Sequence, residues 1–118
     1  MTIPNIVNVA TIHAESVVGD LGTTLTTTLL TGEAEHVYKI NVFRVTNVTD
    51  NDATVTADLE KAGTHKKICN ELTVPANSSV DIMDKTNSFY LEETDLIRGG
   101  ASAASTIEFV FSYEALAD

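Results

Sequence analysis

The sequence predicts an all-β fold, an antiparallel β-sandwich of the jelly-roll kind with about eight or nine short strands. Threonine occurs 17 times among the 118 residues, and β-branched residues favour strands. Apolar and polar residues alternate with a period of two in the clearest segments. Turn residues recur roughly every 8–12 positions, which is typical of sandwiches and jelly rolls.

Length and composition indicate one domain over residues 1–118. The chain is 43% hydrophobic, so one apolar core can hold the fold without metal or disulfide support. Its apolar runs are far shorter than the roughly 20 residues that cross a bilayer, so we expect no membrane partner. The opening residues lack the charged and apolar regions of a secretory signal, and we expect the protein not to be secreted.

The sequence of residues 1–9 predicts that this segment is an arm or an edge strand. Pro4 cannot donate to a β-ladder and favours extended conformations of the preceding residue. The apolar side chains of this segment need a cover, either a neighbouring subunit or the domain's own sandwich. The candidate assembly interface contains Ile3, Pro4, Ile6, Val7 and Val9.

The next segments are predicted strands with a turn between them. Residues 6–18 and 23–31 are divided by the glycine-containing residues 19–22, and residues 32–35 form the following turn. In residues 36–48, Tyr38, Ile40 and Val42 share one face, whereas Phe43 and Val45 follow the opposite parity. We therefore expect a β-bulge near Val42 and Phe43, because one extra residue resets the side-chain phase.

The segment 53–61 is predicted to face the core with Val55, Ala57 and Leu59. Its outward set is Thr54, Thr56, Asp58 and Glu60. Residues 62–64 predict a tight hairpin, and residues 75–79 close the strand that ends at Val74.

The last third of the chain predicts several short strands and one long one. Residues 80–84, 88–92 and 96–97 are the short strands, and Gly99 and Gly100 indicate a flexible turn or a close approach. Residues 106–114 form the clearest strand, and residues 115–118 a short tail. The core face of that strand contains Ile107, Phe109, Phe111 and Tyr113.

Seventeen acidic residues against seven basic ones give a net charge of −10. This charge repels phosphate backbones, so we expect no nucleic-acid partner. An acidic surface also keeps separate copies of a protein soluble.

Catalytic and metal-binding patterns are absent from the sequence. His13, His36 and His65 are dispersed, and the single Cys69 is expected to be a half-buried hydrophobe. The acidic segments 50–52 and 92–95 lack the spacing that wraps a calcium ion. We expect no catalytic residues, cofactor or metal, and we attribute the two glycosylation patterns at Asn47 and Asn77 to chance.

Several motifs together resemble small virion structural proteins of tailed bacteriophages, especially those that infect cyanobacteria. They are Val74-Pro75-Ala76, residues 90–98 (YLEETDLIR), residues 101–104 (ASAA) and Ser112-Tyr113-Glu114. Gly99 and Gly100 depart from the strand residues expected after Arg98 in that family.

This resemblance implies a non-enzymatic virion protein, foremost a capsid decoration (cement) protein that docks in many copies. The alternatives are a neck or tail component and, from another class, a carbohydrate- or cell-surface-binding β-sandwich module. The implied partners are major capsid or neck and tail subunits and copies of the chain itself, with a trimer favoured. The implied location is the virion, assembled in the host cytoplasm.

Overall fold

The computed structural model describes residues 11–23, 25, 27–84 and 90–117, and these form nine β-strands and no helix. The predicted all-β class is therefore confirmed. The strands are β1 (Thr11–Asp20), β2 (Thr27–Thr31), β3 (His36–Asn47), β4 (Ala53–Lys61), β5 (Thr64–Val74), β6 (Ser79–Met83), β7 (Tyr90–Leu91), β8 (Leu96–Ala101) and β9 (Ile107–Ala117). Several of them are longer than the short strands predicted, since β3 has 12 residues and β5 and β9 have 11 each.

The strands form two antiparallel sheets with jelly-roll connectivity. Sheet A has the order β1-β9-β3-β6, with β7 also paired to β3, and sheet B has the order β2-β8-β4-β5. The chain passes repeatedly from one sheet to the other, and the first and last strands pair with each other. The predicted jelly-roll sandwich is thus the observed one.

β6 and β7 are two pieces along the same side of β3. Residues 79–83 pair with residues 43–46 of β3, and residues 90–91 pair with residues 38–39 further along the same strand. This side of sheet A is therefore lined by an interrupted strand.

The core lies between the sheets and is centred on the predicted face of β9. Ile107, Phe109, Phe111 and Tyr113 are all buried, which confirms that prediction. Phe111 meets Phe43 of β3 edge to face, with 5.5 Å between ring centroids. Such aromatic pairs stabilise a core beyond the area that they bury.

The phase change predicted in β3 is also present. The pairing of β3 with β9 shifts register between Ile40 and Val42, so the extra residue is Asn41, just before the predicted position. The bulge lets Ile40 and Phe43 both face the core although their spacing is odd.

Other predictions were wrong in detail. Gly99 and Gly100 lie inside β8 and not in a turn, and residues 115–117 belong to β9 and not to a tail. The Cβ of a larger residue at Gly99 would lie 3.1 Å from the Leu21 side chain, so the alternative of a close approach was right. The predicted arm, residues 1–9, lies outside the described residues.

Candidate functional site

Both ends of the sandwich carry acidic side chains, and among the described residues the lysines lie towards one of them. We call one the hairpin end, because the β4–β5 hairpin lies there together with the turns at 32–35 and 92–95. We call the other the acidic end. It contains the last residues of β1 and the loops at 48–52, 75–78 and 102–106, and its charged side chains are Asp20, Asp50, Asp52 and Glu108.

β1 forms one edge of sheet A and is the most regular edge of the molecule. Its ten residues pair with β9 without a register shift, from Thr11 opposite Ala117 to Asp20 opposite Glu108. Among the described residues no strand pairs with the other side of β1. A long, regular edge of this kind is a template for another extended segment.

The other three edges are less suited to pairing. β2 has five residues and a register shift, and β5 has two register shifts and carries Lys66 and Lys67. The third edge is the interrupted strand formed by β6 and β7. Short strands, bulges and lysines are the features by which proteins prevent edge pairing.

An exposed apolar surface lies beside the β1 edge. Val18 and Val110 are cross-strand neighbours on the outer face of sheet A, and they are 70% and 42% exposed. They line a cavity of about 360 Å³ together with Gly19, Asp20, Thr46, Glu108 and Phe109. We call this cavity the valine cleft.

Carboxylates border the valine cleft. Asp20 and Glu108 are cross-strand neighbours one step beyond the two valines on the same face. Neither β1 nor β9 contains a lysine or an arginine. Arg44, opposite Val110 on β3, is held by Asp81, whose Oδ1 lies 2.6 Å from its Nε.

At the hairpin end, Ala62 and Gly63 join β4 to β5. Both have positive φ angles, 51° and 82°, as a type I′ turn requires. The predicted tight hairpin is therefore present. Lys66 and Lys67 follow on β5 and are exposed.

Asp58 is buried, although the alternation of β4 predicted an outward, solvated position. Arg98 of β8 covers it with two hydrogen bonds, Nε to Oδ1 at 3.1 Å and Nη2 to Oδ2 at 2.6 Å. Burial raises the pKa of Asp58, but Arg98, His65 and Lys67 more than offset this effect and hold the pKa below its ordinary value. The sequence could not reveal this contact, because it depends on the order β8-β4-β5.

His65 joins the same group. Its Nδ1 accepts a hydrogen bond from Arg98 Nη2 at 2.9 Å, and its Nε2 lies 3.2 Å from a carboxylate oxygen of Glu60. The group ties three strands together. Because Arg98 occupies both the carboxylate and the imidazole, the arrangement resembles neither a catalytic triad nor a metal site.

A second buried carboxylate, Asp95, organises the turn at 92–95. It accepts hydrogen bonds from Lys61 Nζ at 2.9 Å and from the Glu92 amide at 3.0 Å. The turn packs on Gly32, where a Cβ atom would lie 2.0 Å from the Glu92 carbonyl oxygen. Only glycine fits at this contact.

The remaining candidate residues make hydrogen bonds or core contacts that hold the fold together. Asp50 and Asp52 bind Asn77 and the Ala76 amide across neighbouring loops. Within the described residues no group of three or more histidine, cysteine or acidic side chains could hold a metal ion. Cys69 is half-buried against the core, its thiol donates to the Val55 carbonyl, and burial raises its pKa.

Asn47 is buried and fully hydrogen-bonded. Its amide nitrogen donates to the carbonyls of Asn51 and Val74, and its oxygen accepts from the amide and hydroxyl of Thr49. The Asn47 side chain thereby holds the loop at 48–52 in place. Its role is structural, although it begins an N-x-[ST] glycosylation pattern.

Comparison with known proteins gives a likeness at the level of the fold. No family model matches the chain, and no curated protein matches it. A solved structure from Bacillus endospore appendages, described as a novel family of disulfide-linked pili, matches with a TM-score of 0.56 and 20% sequence identity. The match covers 92% of this chain and 90% of that one, and it supports the two-sheet fold.

The prediction of a capsid decoration protein is therefore wrong, because the structural likeness is to a pilus protein and not to a virion protein. The alternatives of a neck or tail component and of a carbohydrate- or cell-surface-binding module fall with it. Among the described residues Tyr90 is the one exposed aromatic ring, so they contain no pair of exposed rings on which a sugar could stack. In the part of the chain that the structure describes, no helix is long and apolar enough to cross a membrane.

Proposed function

We propose that the protein is the subunit of a non-enzymatic, pilus-like filament built from copies of this chain. The observation that carries the proposal is the β1 edge, ten residues long and without a register shift. The likeness to a pilus protein over nearly the whole chain supports it. An edge that accepts a strand from the next copy is one way to link β-sandwich subunits into a polymer.

The segment that occupies this edge is the N-terminal arm of a neighbouring copy. Residues 1–10 carry no charged side chain, so they approach the acidic β1–β9 surface without repulsion. Binding to the neighbouring copy removes the apolar side chains of Ile3, Ile6, Val7 and Val9 from water, which is favourable. Main-chain hydrogen bonds to β1 then supply binding that depends little on sequence.

Charge favours a filament over a closed dimer. Two β1 edges that met directly in antiparallel orientation would place Glu15 of both copies close together at the centre of the contact, with no lysine or arginine on β1 to neutralise them. A head-to-tail contact between different surfaces avoids this repulsion. Such contacts propagate into open polymers when their rotation does not close a ring.

The filament must be held together without continuous disulfide links. A chain of subunits joined only by disulfides needs at least two cysteines per subunit, and these 118 residues contain one. Cys69 also packs against the core, where a neighbour's thiol has poor access. In this respect the protein differs from the disulfide-linked pili that it resembles in fold.

Electron microscopy and sedimentation of the purified full chain over a range of concentrations test the proposal. We expect filaments above a threshold concentration. A variant with residues 2–9 replaced by a Gly/Ser segment of equal length should stay monomeric with an unchanged melting temperature. A peptide of residues 1–10 should bind this variant, and the same peptide with Ile6→Asp and Val9→Asp should not.

Three results would contradict the proposal. The first is a protein that is monomeric at all concentrations, and the second is a closed trimer, the state that the resemblance to virion proteins implied. The third is a Gly/Ser variant that still forms filaments, because the arm would then not be the connecting segment.

A further inference from the structure

The valine cleft is an exposed apolar patch at the acidic end of the outer face of sheet A. Val18 and Val110 are cross-strand neighbours on this face, and they are 70% and 42% exposed. Apolar side chains grouped around a cavity at the surface are typical of an interaction site.

The rim of the cleft specifies the chemistry of its ligand. The charged residues that line it are Asp20 and Glu108, and both are acidic. A segment that fills the cleft must therefore present aliphatic surface together with positive charge. Lysine side chains do both, because their methylene stems pack on apolar surface while their ammonium groups reach carboxylates.

The chain itself contains such a segment. Lys66 and Lys67 are the only two consecutive basic residues in the sequence. Both are exposed on β5 beside the type I′ turn, and no described carboxylate forms an ion pair with either of them. The neighbouring Lys61, in contrast, is bound by Asp95 and Glu92.

We propose that the valine cleft of one copy receives the β4–β5 hairpin of the next copy, and that the Lys66 and Lys67 side chains, which project from the two faces of the hairpin, reach Asp20 and Glu108. This inference rests on the proposed filament and names a second contact within it. The cleft and the hairpin lie at opposite ends of a molecule 48 Å long, so the contact is head-to-tail. It adds charge recognition to the contact between the arm and β1, which involves no charged side chain of the arm.

Charge reversal tests the contact. We expect the variant Asp20→Lys/Glu108→Lys and the variant Lys66→Glu/Lys67→Glu each to raise the threshold concentration for assembly by about tenfold or more. The cleft variant is the more informative of the two, because it makes the net charge of −10 less negative. General repulsion between copies is then weaker, so a higher threshold must come from the lost contact. Melting temperatures show that each variant is folded.

Rescue makes the test specific. The chain with all four substitutions should assemble like the unchanged protein, since its complementarity is restored and its net charge is unchanged. An equimolar mixture of the two charge variants should also assemble. Glu114→Lys is the matched control, because it lies on the same strand and face as Glu108 but away from the cleft, and it should leave the threshold unchanged.

The failures of the two proposals are distinguishable. If the unchanged chain forms filaments and the charge variants assemble equally well, or if the fourfold variant is not rescued, the hairpin contact is overturned and the filament stands. If the unchanged chain never assembles, both are overturned.

Discussion

Phe111 lies at the centre of the core, fully buried and in edge-to-face contact with Phe43. We expect Phe111→Ala to lower the free energy of unfolding by about 3–5 kcal/mol, because it removes a large buried side chain and leaves a cavity. Chemical denaturation measures this loss. The adjacent exposed Val110, changed to alanine, should cost less than about 1 kcal/mol. A similarly small loss for Phe111→Ala would show that the core is misplaced.

Gly32 is required by a close approach of two backbones. A Cβ atom there would overlap the Glu92 carbonyl oxygen, so Gly32→Ala must displace the turn at 92–95 and the buried Asp95 within it. We expect destabilisation of about 1–3 kcal/mol by thermal or urea unfolding. Gly19→Ala is the control, since its Cβ would make an ordinary 3.4 Å contact with Phe109. Equal stability of the two variants would contradict the prediction.

Tyr113 makes stability depend on pH in alkali. Burial, together with the hydrogen bond that it donates to Glu15, raises its pKa to about 12. An unfolded tyrosine titrates near 10, so the folded protein binds the proton more tightly. The stabilisation is complete below about pH 10 and is lost as the pH rises towards 12. Denaturation midpoints across this range should fall, and they should fall less steeply for Tyr113→Phe, while an unchanged slope would refute the assignment.

At the scale of the strands, the sequence was informative wherever one face of a strand is dry and the other wet. β4 and β9 have this alternation, and the odd spacing of Ile40 and Phe43 revealed the bulge in β3. Gly99 and Gly100 gave no such signal, because the side chains that fill the core beside Gly99 come from Leu21, Leu29 and Phe43. Glycines in a strand show no apolar–polar alternation, so their burial can be predicted only when the residues that pack against them are known.

The hairpin between β4 and β5 can be improved. Ala62 adopts a positive φ of 51°, which is unfavourable for alanine, whereas asparagine tolerates this conformation and Asn-Gly is the preferred type I′ pair. We expect Ala62→Asn to raise the free energy of unfolding by about 0.5–1 kcal/mol. Ala103→Asn, in an exposed loop without a positive φ, should have no effect. A destabilised Ala62→Asn protein would contradict the type I′ assignment.

At the scale of the whole molecule, function was not predictable from the sequence, since the features that suggest assembly arise only from strand order. β1 and β9 are nearly 100 residues apart in the chain, yet together they form the edge and the cleft. The short motifs that resembled virion proteins lie largely in turns and strand ends, which many β-sandwiches share. The acidic composition was visible, but the exposure of Lys66 and Lys67 at the end of the molecule opposite Asp20 and Glu108 was not.

The single half-buried cysteine makes a prediction for the assembled state. We expect filaments of this protein to be unaffected by reducing agents, and Cys69→Ser to assemble at the same concentration as the unchanged chain. Gel electrophoresis without reductant should show monomers and no ladder of linked species. A ladder that disappears on reduction would mean that Cys69 becomes accessible and that covalent links contribute.

The placement of β9 between β1 and β3 affects how the chain folds during synthesis. β9 is the last strand to be made, yet it occupies the middle of sheet A. Until synthesis is nearly complete, β1 therefore lacks its pairing partner and β3 lacks one of its partners. Pairing between strands so distant in sequence makes folding slow, in the range of milliseconds to seconds. During that interval the regular β1 edge is exposed together with the unfilled core. Nascent chains on neighbouring ribosomes can therefore pair prematurely, and chaperones that shield β-strands should increase the yield of soluble protein.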